Sequence, residues 1–326
     1  MVSDNGYLLK VDDLKTYFPV KKGLLRRTVG YIKAVDGVSF NIKKGQAFGL
    51  VGESGCGKTT VARSITRLIP ATAGKLTFDG IDVLSADKSQ LQQLRRETSI
   101  IFQDPFGSLN PRMTIGNIVG EPLKIQQKLT GTALIEQVAE LLSKAGLSPD
   151  HINRYPHEFS GGQRQRIGVA RALALRPKLV ICDEPVSALD VSIQSQILNL
   201  LKDLQDEFEL TCLFIAHNLA VVEFFCDVVA VMYMGKIVEQ APSQQLYRNP
   251  LHPYTRTLMS AIPQLDTSRR RHRNKLTGEV PSILNQPSGC PFNPRCPLAD
   301  DECLTQIPPL RQCGDCKEHF IACRKY

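Results

Sequence analysis

A glycine-rich loop at residues 52–59 reads Gly-Glu-Ser-Gly-Cys-Gly-Lys-Thr and follows the short apolar run 46–51. The loop fits the pattern G-x-x-x-x-G-K-[S/T] at every fixed position and lies where a strand pattern gives way to a helical one. Its glycines let the backbone approach a phosphate, and the N–H groups that start the following helix favour negative charge. The loop therefore predicts a nucleoside-triphosphate site. The residues expected to form it are Gly52, Glu53, Ser54, Gly55, Cys56, Gly57, Lys58, Thr59 and Thr60.

Four side chains suit the chemistry of nucleotide hydrolysis. Lys58 is expected to bridge the β- and γ-phosphates, and the Thr59 hydroxyl to hold Mg²⁺. A second apolar run, 179–182, ends in the carboxylates of Asp183 and Glu184. Asp183 suits the outer shell of Mg²⁺, and Glu184 suits polarising the attacking water. The two segments together predict hydrolysis of the bound nucleotide.

Composition limits the class of protein. A chain of 326 residues can hold one large domain and a smaller appendage, and its apolar content of 42% is ordinary for a globular protein. No apolar run approaches the ~18–20 residues that span a bilayer, and the start lacks the basic and apolar parts of a signal peptide. We therefore expect a cytosolic chain. The net charge of +8 is spread out, apart from a basic run at 269–273 that is typical of a solvated linker, so we expect no nucleic-acid partner.

The order of strand and helix patterns predicts an α/β fold. Residues 7–50 alternate apolar and polar positions as strands do, and 130–175 contain helical runs. Strands and helices then alternate over 179–216, which predicts a parallel sheet with helices on both faces. Residues 228–239 suggest a hairpin. Beyond about residue 262 the pattern dissolves into proline, glycine, basic residues and cysteine.

A Ser-Gly-Gly-Gln turn lies about a hundred residues after the phosphate loop. With the loop and the carboxylate pair, in this order, it resembles the ATP-binding-cassette (ABC) ATPases, the motor subunits of ABC transporters, over residues 8–262. The resemblance implies a nucleotide-binding core with a parallel sheet, an antiparallel β subdomain and a helical subdomain at about 104–175. It also implies that two ATPases pair head to tail, so that the turn of one closes on the γ-phosphate held by the other. The turn consists of Ser160, Gly161, Gly162 and Gln163.

Three further residues match the family pattern. Gln103 resembles the glutamine that touches the metal and the water and signals to the membrane subunit, and His217 resembles the histidine that contacts the γ-phosphate. Phe18 matches the region that supplies an aromatic ring for adenine stacking. Its neighbour Tyr17 is the alternative, and ordinary strand core is the alternative for both rings. The resemblance thus implies Glu184 and His217 as catalytic residues, and Thr59, Gln103 and Asp183 as the Mg²⁺ contacts.

Four segments narrow the resemblance to the ATPases of oligopeptide, dipeptide and nickel importers: 102–114, 155–158, 249–255 and 289–297. This implies an ATP-hydrolysing motor for di- and oligopeptide import, attached peripherally at the cytoplasmic face of the membrane. The implied partners are a sibling ATPase, two permeases and an extracytoplasmic peptide-binding protein. The alternatives are the same motor for nickel or another small solute, a non-transport ABC ATPase, and a redox sensor that coexists with the motor role. The implied domains are the ATPase at 1–262 and an extension at 263–326.

The cysteines are the second informative feature, because six of the ten lie in the last 37 residues. A cytosolic context argues for a metal or redox centre rather than disulfides. Cys290, Cys296, Cys303 and Cys323 resemble the four-cysteine iron–sulfur site of some peptide-importer ATPases, which implies a [4Fe–4S] cluster. Structural zinc and free thiols are the alternatives, and the pair Cys313 and Cys316 has a better zinc spacing. We expect the cluster to order the extension and to take no part in hydrolysis.

Overall fold

The computed structural model describes residues 6–23, 27–104, 107–260, 286–314 and 318–326. Its strands are β1 (Tyr7–Lys22), β2 (Arg27–Lys43), β3 (Ala47–Val51), β4 (Ala73–Phe78), β5 (Ile81–Asp82), β6 (Thr98–Ile101), β7 (Leu179–Asp183), β8 (Thr211–Ala216), β9 (Val228–Tyr233), β10 (Lys236–Pro242), β11 (Arg311–Gln312) and β12 (Phe320–Ile321). Its helices are α1 (Lys58–Ile65), α2 (Lys88–Glu97), α3 (Ile115–Pro122), α4 (Gly131–Lys144), α5 (Gly161–Leu173), α6 (Val191–Phe208), α7 (Leu219–Phe225), α8 (Ser243–Arg248), α9 (Pro253–Ser260) and α10 (Asp301–Thr305).

The chain forms two compact units, each assembled from separate stretches of sequence. The first unit contains the described parts of Met1–Leu8, Lys43–Ala47 and Ala86–Ile215. The second contains the described parts of Leu9–Ile42, Phe48–Ser85 and Ala216–Tyr326.

The first unit is built on the parallel strands β6, β7 and β8, with β7 in the middle. Every residue of β7 is buried, which accounts for its unbroken apolar run, because a central parallel strand is covered on both faces. Ile101 pairs with Cys182, and Asp183 pairs with Ile215. The carboxyl ends of these strands therefore lie at one edge, where polar residues such as Glu184 follow.

Helices α3, α4 and α5 pack on one another in the first unit and form the expected helical subdomain. Helix α3 is capped by Thr114, whose hydroxyl accepts the N–H of Asn117 at 3.4 Å. Such a cap satisfies an N–H group that lacks a partner inside the helix.

The second unit contains a four-stranded sheet in the order β2–β1–β4–β5, in which β4 runs antiparallel to both β1 and β5. This is the antiparallel β subdomain that the sequence predicts. In the same unit β3 pairs in parallel with β9, with Phe48 opposite Val228. Strand β9 then turns through Met234 and Gly235 into the antiparallel β10, so the predicted hairpin is confirmed.

The cysteine-rich extension is joined to this part of the second unit. Strand β12 runs antiparallel to β10, with Ile321 opposite Glu239, and β11 pairs with β12. Phe292 and Ile321 are fully buried. The extension is irregular over most of its described length, as expected, but it is anchored by strand pairing and by buried side chains.

In the part of the chain that the structure describes, none of the helices combines the length and the apolar character that a bilayer crossing requires.

Candidate functional site

The phosphate loop connects the buried strand β3 to helix α1. Gly52 and Gly57 adopt φ values of 155° and 108°. A Cβ atom at Gly57 would lie 2.1 Å from the carbonyl oxygen of Ala34, and one at Gly52 would lie 2.1 Å from that of Met232. Neighbouring backbone therefore excludes a side chain at both positions. The pattern requires glycine here for space as well as for conformation.

Lys58 lies in the first turn of α1 and folds back over the loop. Its ammonium donates to the carbonyl of Gly52 at 2.8 Å and to that of Glu53 at 3.0 Å, and the residue is only 4% exposed. The Cys56 N–H also donates to the Glu53 carbonyl, at 3.3 Å. The loop thus encloses its own lysine and holds the ammonium against two backbone carbonyls.

Glu53 is also held from outside the loop. Its N–H donates to the Tyr254 hydroxyl at 2.9 Å. Its carboxylate accepts two hydrogen bonds from the Arg295 guanidinium, at 2.9 and 3.0 Å. This pairing raises the pKa of Arg295 above its usual value. The cysteine-rich extension therefore contacts the phosphate loop, a contact that the residue pattern does not predict. No spacing pattern signals a contact between residues 242 positions apart.

The carboxylate pair follows the buried strand β7. Asp183 is buried, and Glu184 has a φ of 48°, in the left-handed region that non-glycine residues rarely adopt. The Glu184 N–H donates to the Ile215 carbonyl at 2.9 Å. Its carboxylate accepts the Gln103 amide at 3.1 Å, across 81 residues of sequence. The structure therefore brings together two of the predicted site residues, with the glutamine able to orient the carboxylate.

His217 and Thr59 occupy the ends of regular elements. His217 directly follows β8 and is exposed. The next residue, Asn218, starts α7 by accepting the Ala220 N–H at 3.0 Å. Thr59 and Thr60 are part of the first turn of α1 and are half-buried.

The Ser-Gly-Gly-Gln turn forms the N-terminus of α5. The Ser160 hydroxyl accepts the Gln163 N–H at 3.3 Å, and the Gln163 side chain accepts the Ser160 N–H at 3.0 Å. This reciprocal pair is a capping box. A Cβ atom at Gly162 would lie 2.5 Å from Ile193, so that position has little room. Both Ser160 and Gln163 are exposed, which leaves the start of the helix open to a partner.

The two aromatic candidates near the N-terminus differ. The Tyr17 hydroxyl donates to Asp36, and burial raises the pKa of Tyr17. Asp36 also pairs with Lys236 at 2.9 Å. Phe18 is 38% exposed. Tyr17 is thus bonded to Asp36, whereas Phe18 is exposed, and the role of Phe18 in adenine stacking stays a prediction.

The four predicted cysteine ligands lie in one region of the extension. Burial raises the pKa of Cys290 to about 11, and the thiols of Cys303, Cys296 and Cys323 add to that shift. The Cys290 N–H donates to the Cys303 carbonyl at 2.9 Å. Across the described residues, however, no three or more Cys, His, Asp or Glu side chains are placed to hold a metal ion. The thiols are suitable donors but do not form a ready ligand set. Cys316, half of the alternative zinc pair, lies outside the described residues.

The chain resembles known proteins along nearly all of its length. Residues 35–187 match the family described as ABC transporter, and 238–303 match the family described as oligopeptide/dipeptide transporter, C-terminal region. The chain is 50% identical to the oligopeptide transport ATP-binding protein AppF of Bacillus subtilis, over 98% of this chain and 97% of that protein. It is 48% identical to the dipeptide transport ATP-binding protein DppF of Haemophilus influenzae, over 99% of this chain and 98% of that protein.

Two solved structures share the fold. The first is CbiO1 of Clostridium perfringens, part of an ABC transporter complex, with a TM-score of 0.64 and 26% identity over 75% of this chain and 92% of that one. The second is a dimeric ATP-binding cassette in a post-hydrolysis state with ADP and phosphate bound. Its TM-score is 0.64, with 29% identity over 72% of this chain and 98% of that one.

Proposed function

Because the chain belongs to the ABC transporter ATPases, in the group with the oligopeptide/dipeptide C-terminal region, we propose that it drives the import of di- and oligopeptides. The observation that carries the proposal is its near-full-length similarity to ATP-binding proteins named for oligopeptide and dipeptide transport. No observation above favours nickel, another small solute or a non-transport role. The chain is an ATPase, and the peptide is the proposed cargo.

In the proposed site the phosphate loop holds the triphosphate of ATP. Lys58 exchanges its carbonyl partners for the β- and γ-phosphate oxygens. Thr59, Gln103 and Asp183 would hold Mg²⁺, which neutralises charge on the phosphate oxygens when it is bound. The buried Asp183 and the half-buried Thr59 hydroxyl are oxygen donors of the kind that Mg²⁺ prefers.

Glu184 is the proposed residue for polarising the attacking water. Its hydrogen bond from Gln103 supports this role, because it fixes the carboxylate without neutralising it. His217 would contact the γ-phosphate, and Phe18 would stack on the adenine. The exposed position of each side chain leaves room for such contacts.

We propose that the active form is a head-to-tail pair with a sibling ATPase. The N-terminus of α5, with Ser160, Gly161, Gly162 and Gln163, would close on the γ-phosphate held by the partner. Ser160 and Gln163 are exposed, and the N-terminus of a helix favours a negatively charged ligand. Two permeases and an extracytoplasmic binding protein complete the proposed complex, which places the chain at the cytoplasmic face of the membrane. Nucleic acid has no part in it.

We propose an ATPase domain over 1–262, with its helical subdomain at about 104–175, and an extension over 263–326. The extension would bind a [4Fe–4S] cluster through Cys290, Cys296, Cys303 and Cys323, with zinc as the alternative. Four cysteine side chains in one region support this proposal; their thiols would have to lose protons and move into ligand geometry when the cluster binds. Anaerobically purified protein should carry roughly four iron and four sulfide per chain. Protein that holds one zinc and no sulfide would decide for zinc.

Peptide import is tested by reconstituting the complex in liposomes with its sibling ATPase, its permeases and its binding protein. Binding protein loaded with peptide should raise ATP turnover and permit uptake of a labelled peptide, and Lys58→Ala in this subunit should reduce both. If nickel stimulated turnover and peptides did not, the cargo assignment would be wrong. If turnover ignored the permeases altogether, the transport role would be wrong.

A further inference from the structure

Within the residues that the structure describes, an ion pair between Arg295 and Glu53 joins the extension to the phosphate loop. The Arg295 side chain is 5% exposed and the Glu53 side chain 24%. The guanidinium meets both carboxylate oxygens, at 2.9 and 3.0 Å. A bidentate ion pair of this kind fixes the orientation of both side chains and balances their charges.

The position of Arg295 depends on how the surrounding extension folds. Arg295 ends a 3-10 turn, Asn293–Arg295. The Asn293 amide donates to the Ser288 carbonyl at 2.7 Å, and Phe292 packs edge-on against Tyr233 with ring centroids 5.3 Å apart. The Arg295 guanidinium in turn lies 5.9 Å from the Tyr233 ring. These contacts fix the place from which the guanidinium reaches the loop.

Glu53 also contacts the phosphate-loop residues that are expected to bind phosphate. Its carbonyl accepts both the Lys58 ammonium and the Cys56 N–H. Its N–H is held by Tyr254. If the orientation of Glu53 changes, its carbonyl moves as well. The position of the Lys58 ammonium and the backbone at Cys56 then change with it. Sites that bind through several fixed groups lose affinity when one support is loosened.

Charge acts in the same direction. ATP brings several negative charges to a loop that contains the Glu53 carboxylate, and like charges repel strongly where solvent is partly excluded. Arg295 neutralises that carboxylate. Without the guanidinium, ATP would meet both a looser loop and an unbalanced negative charge.

We propose that Arg295 is a positioning residue for the phosphate loop and that it acts through Glu53, so that the folded extension sets the affinity for ATP. The inference rests on ATP binding by this loop and is independent of the cargo. It assigns the extension a role in nucleotide binding, whereas the sequence analysis expected only a structural one.

The test is a double-mutant cycle on the full-length chain, with a fluorescent ATP analogue as the probe. Arg295→Met should weaken binding about tenfold, equivalent to about 1.4 kcal/mol. In the Glu53→Gln background the same change should alter the dissociation constant less than about twofold, because the partner is already gone. Equal effects in both backgrounds would show that Arg295 does not act through Glu53 and would overturn the proposal.

Two further variants separate positioning from general damage. Arg324→Gln is the matched control, since Arg324 pairs with Glu302 inside the extension and does not touch the loop in the described structure. It should leave the dissociation constant unchanged. Arg295→Lys keeps the charge but not the two-pronged geometry, so its affinity should lie between wild type and Arg295→Met. If Glu53→Gln did not fold, a lysine variant that binds no better than the methionine variant would still contradict the proposal.

In the assembled complex, Arg295→Met should raise the KM for ATP about tenfold and change kcat less than about twofold. A fall in kcat at unchanged KM would contradict a role in the loop. Because nucleotide binding is measured on the chain alone, its outcome does not depend on whether the complex imports peptides.

Discussion

The phosphate loop and the cysteine-rich extension specify their contacts in opposite ways. The loop is built from neighbours in sequence, as in the bond from Lys58 to Gly52 across six residues. The extension is anchored to the rest of its unit by distant pairs: Arg295 contacts Glu53 across 242 residues, and His319 contacts Glu239 at 2.8 Å across 80. A motif can therefore be complete in sequence and still depend on remote residues for its placement.

The largest expected effect tests the part that is encoded locally. Glu184→Gln should lower ATP turnover in the assembled complex by about two orders of magnitude or more, because the amide cannot polarise water as a carboxylate does. ATP affinity should be retained, since the phosphate loop is untouched. Steady-state turnover and nucleotide titration check the two halves of this prediction. Normal turnover would remove Glu184 from its proposed role.

Sequence was informative where function depends on adjacent residues. The loop, the carboxylate pair and the capped turn at Ser160 are each contiguous, so a pattern of residue types identifies them. The family resemblance assigned Gln103 and Glu184 to the same nucleotide site, but it did not predict the direct hydrogen bond between them, which spans 81 residues of sequence.

The rest could not be predicted for physical reasons. Strand β12 is two residues long, too short for an alternating pattern. Arg295 shows no periodicity, and its partner is set by the folded chain. The thiols of Cys290, Cys296, Cys303 and Cys323 do share a region, but ligand geometry depends on ångström-level placement that residue spacing does not determine.

His252, which packs against the extension, should make the free energy of unfolding sensitive to acid. This residue is 1% exposed and contacts the Phe292 ring, with the centroids 5.7 Å apart. Burial lowers its pKa to about 4, against an opposing effect of Glu239. Its neutral ring accepts the Tyr254 N–H at 3.1 Å. The Glu239 carboxylate accepts the backbone N–H of His252 and also contacts the ring of His319.

Between pH 6.5 and 4 the unfolded chain binds a proton at His252 and the folded chain does not. Stability should therefore fall as pH falls across this window, by about 3 kcal/mol from this residue. The difference in unfolding free energy between wild type and His252→Asn should shrink correspondingly from pH 7 to pH 4. The exposed His157 provides a control, and His157→Asn should keep the wild-type slope. A constant gap between wild type and His252→Asn would contradict the assignment.

Two alanine substitutions in the phosphate loop separate the cost of steric overlap from the cost of a positive φ. Gly57 and Gly55 both have positive φ values, 108° and 80°. A Cβ atom at Gly57 would meet the Ala34 carbonyl, whereas one at Gly55 would meet open space. Gly55→Ala should cost about 1 kcal/mol in unfolding free energy, and Gly57→Ala about 2 kcal/mol more. Denaturant unfolding measures both. Equal losses of unfolding free energy in the two variants would mean that the backbone at Ala34 moves to make room for the new side chain.

If the extension holds the phosphate loop in place, hydrogen exchange at the loop amides should depend on Arg295. The Glu53 N–H is bound to Tyr254, and its carboxylate to Arg295. In nucleotide-free, full-length Arg295→Met, amides of residues 52–58 should exchange about tenfold faster than in wild type, and in Arg324→Gln at the wild-type rate. Unchanged exchange in Arg295→Met, with the extension still folded, would show that the loop holds itself and would contradict the account.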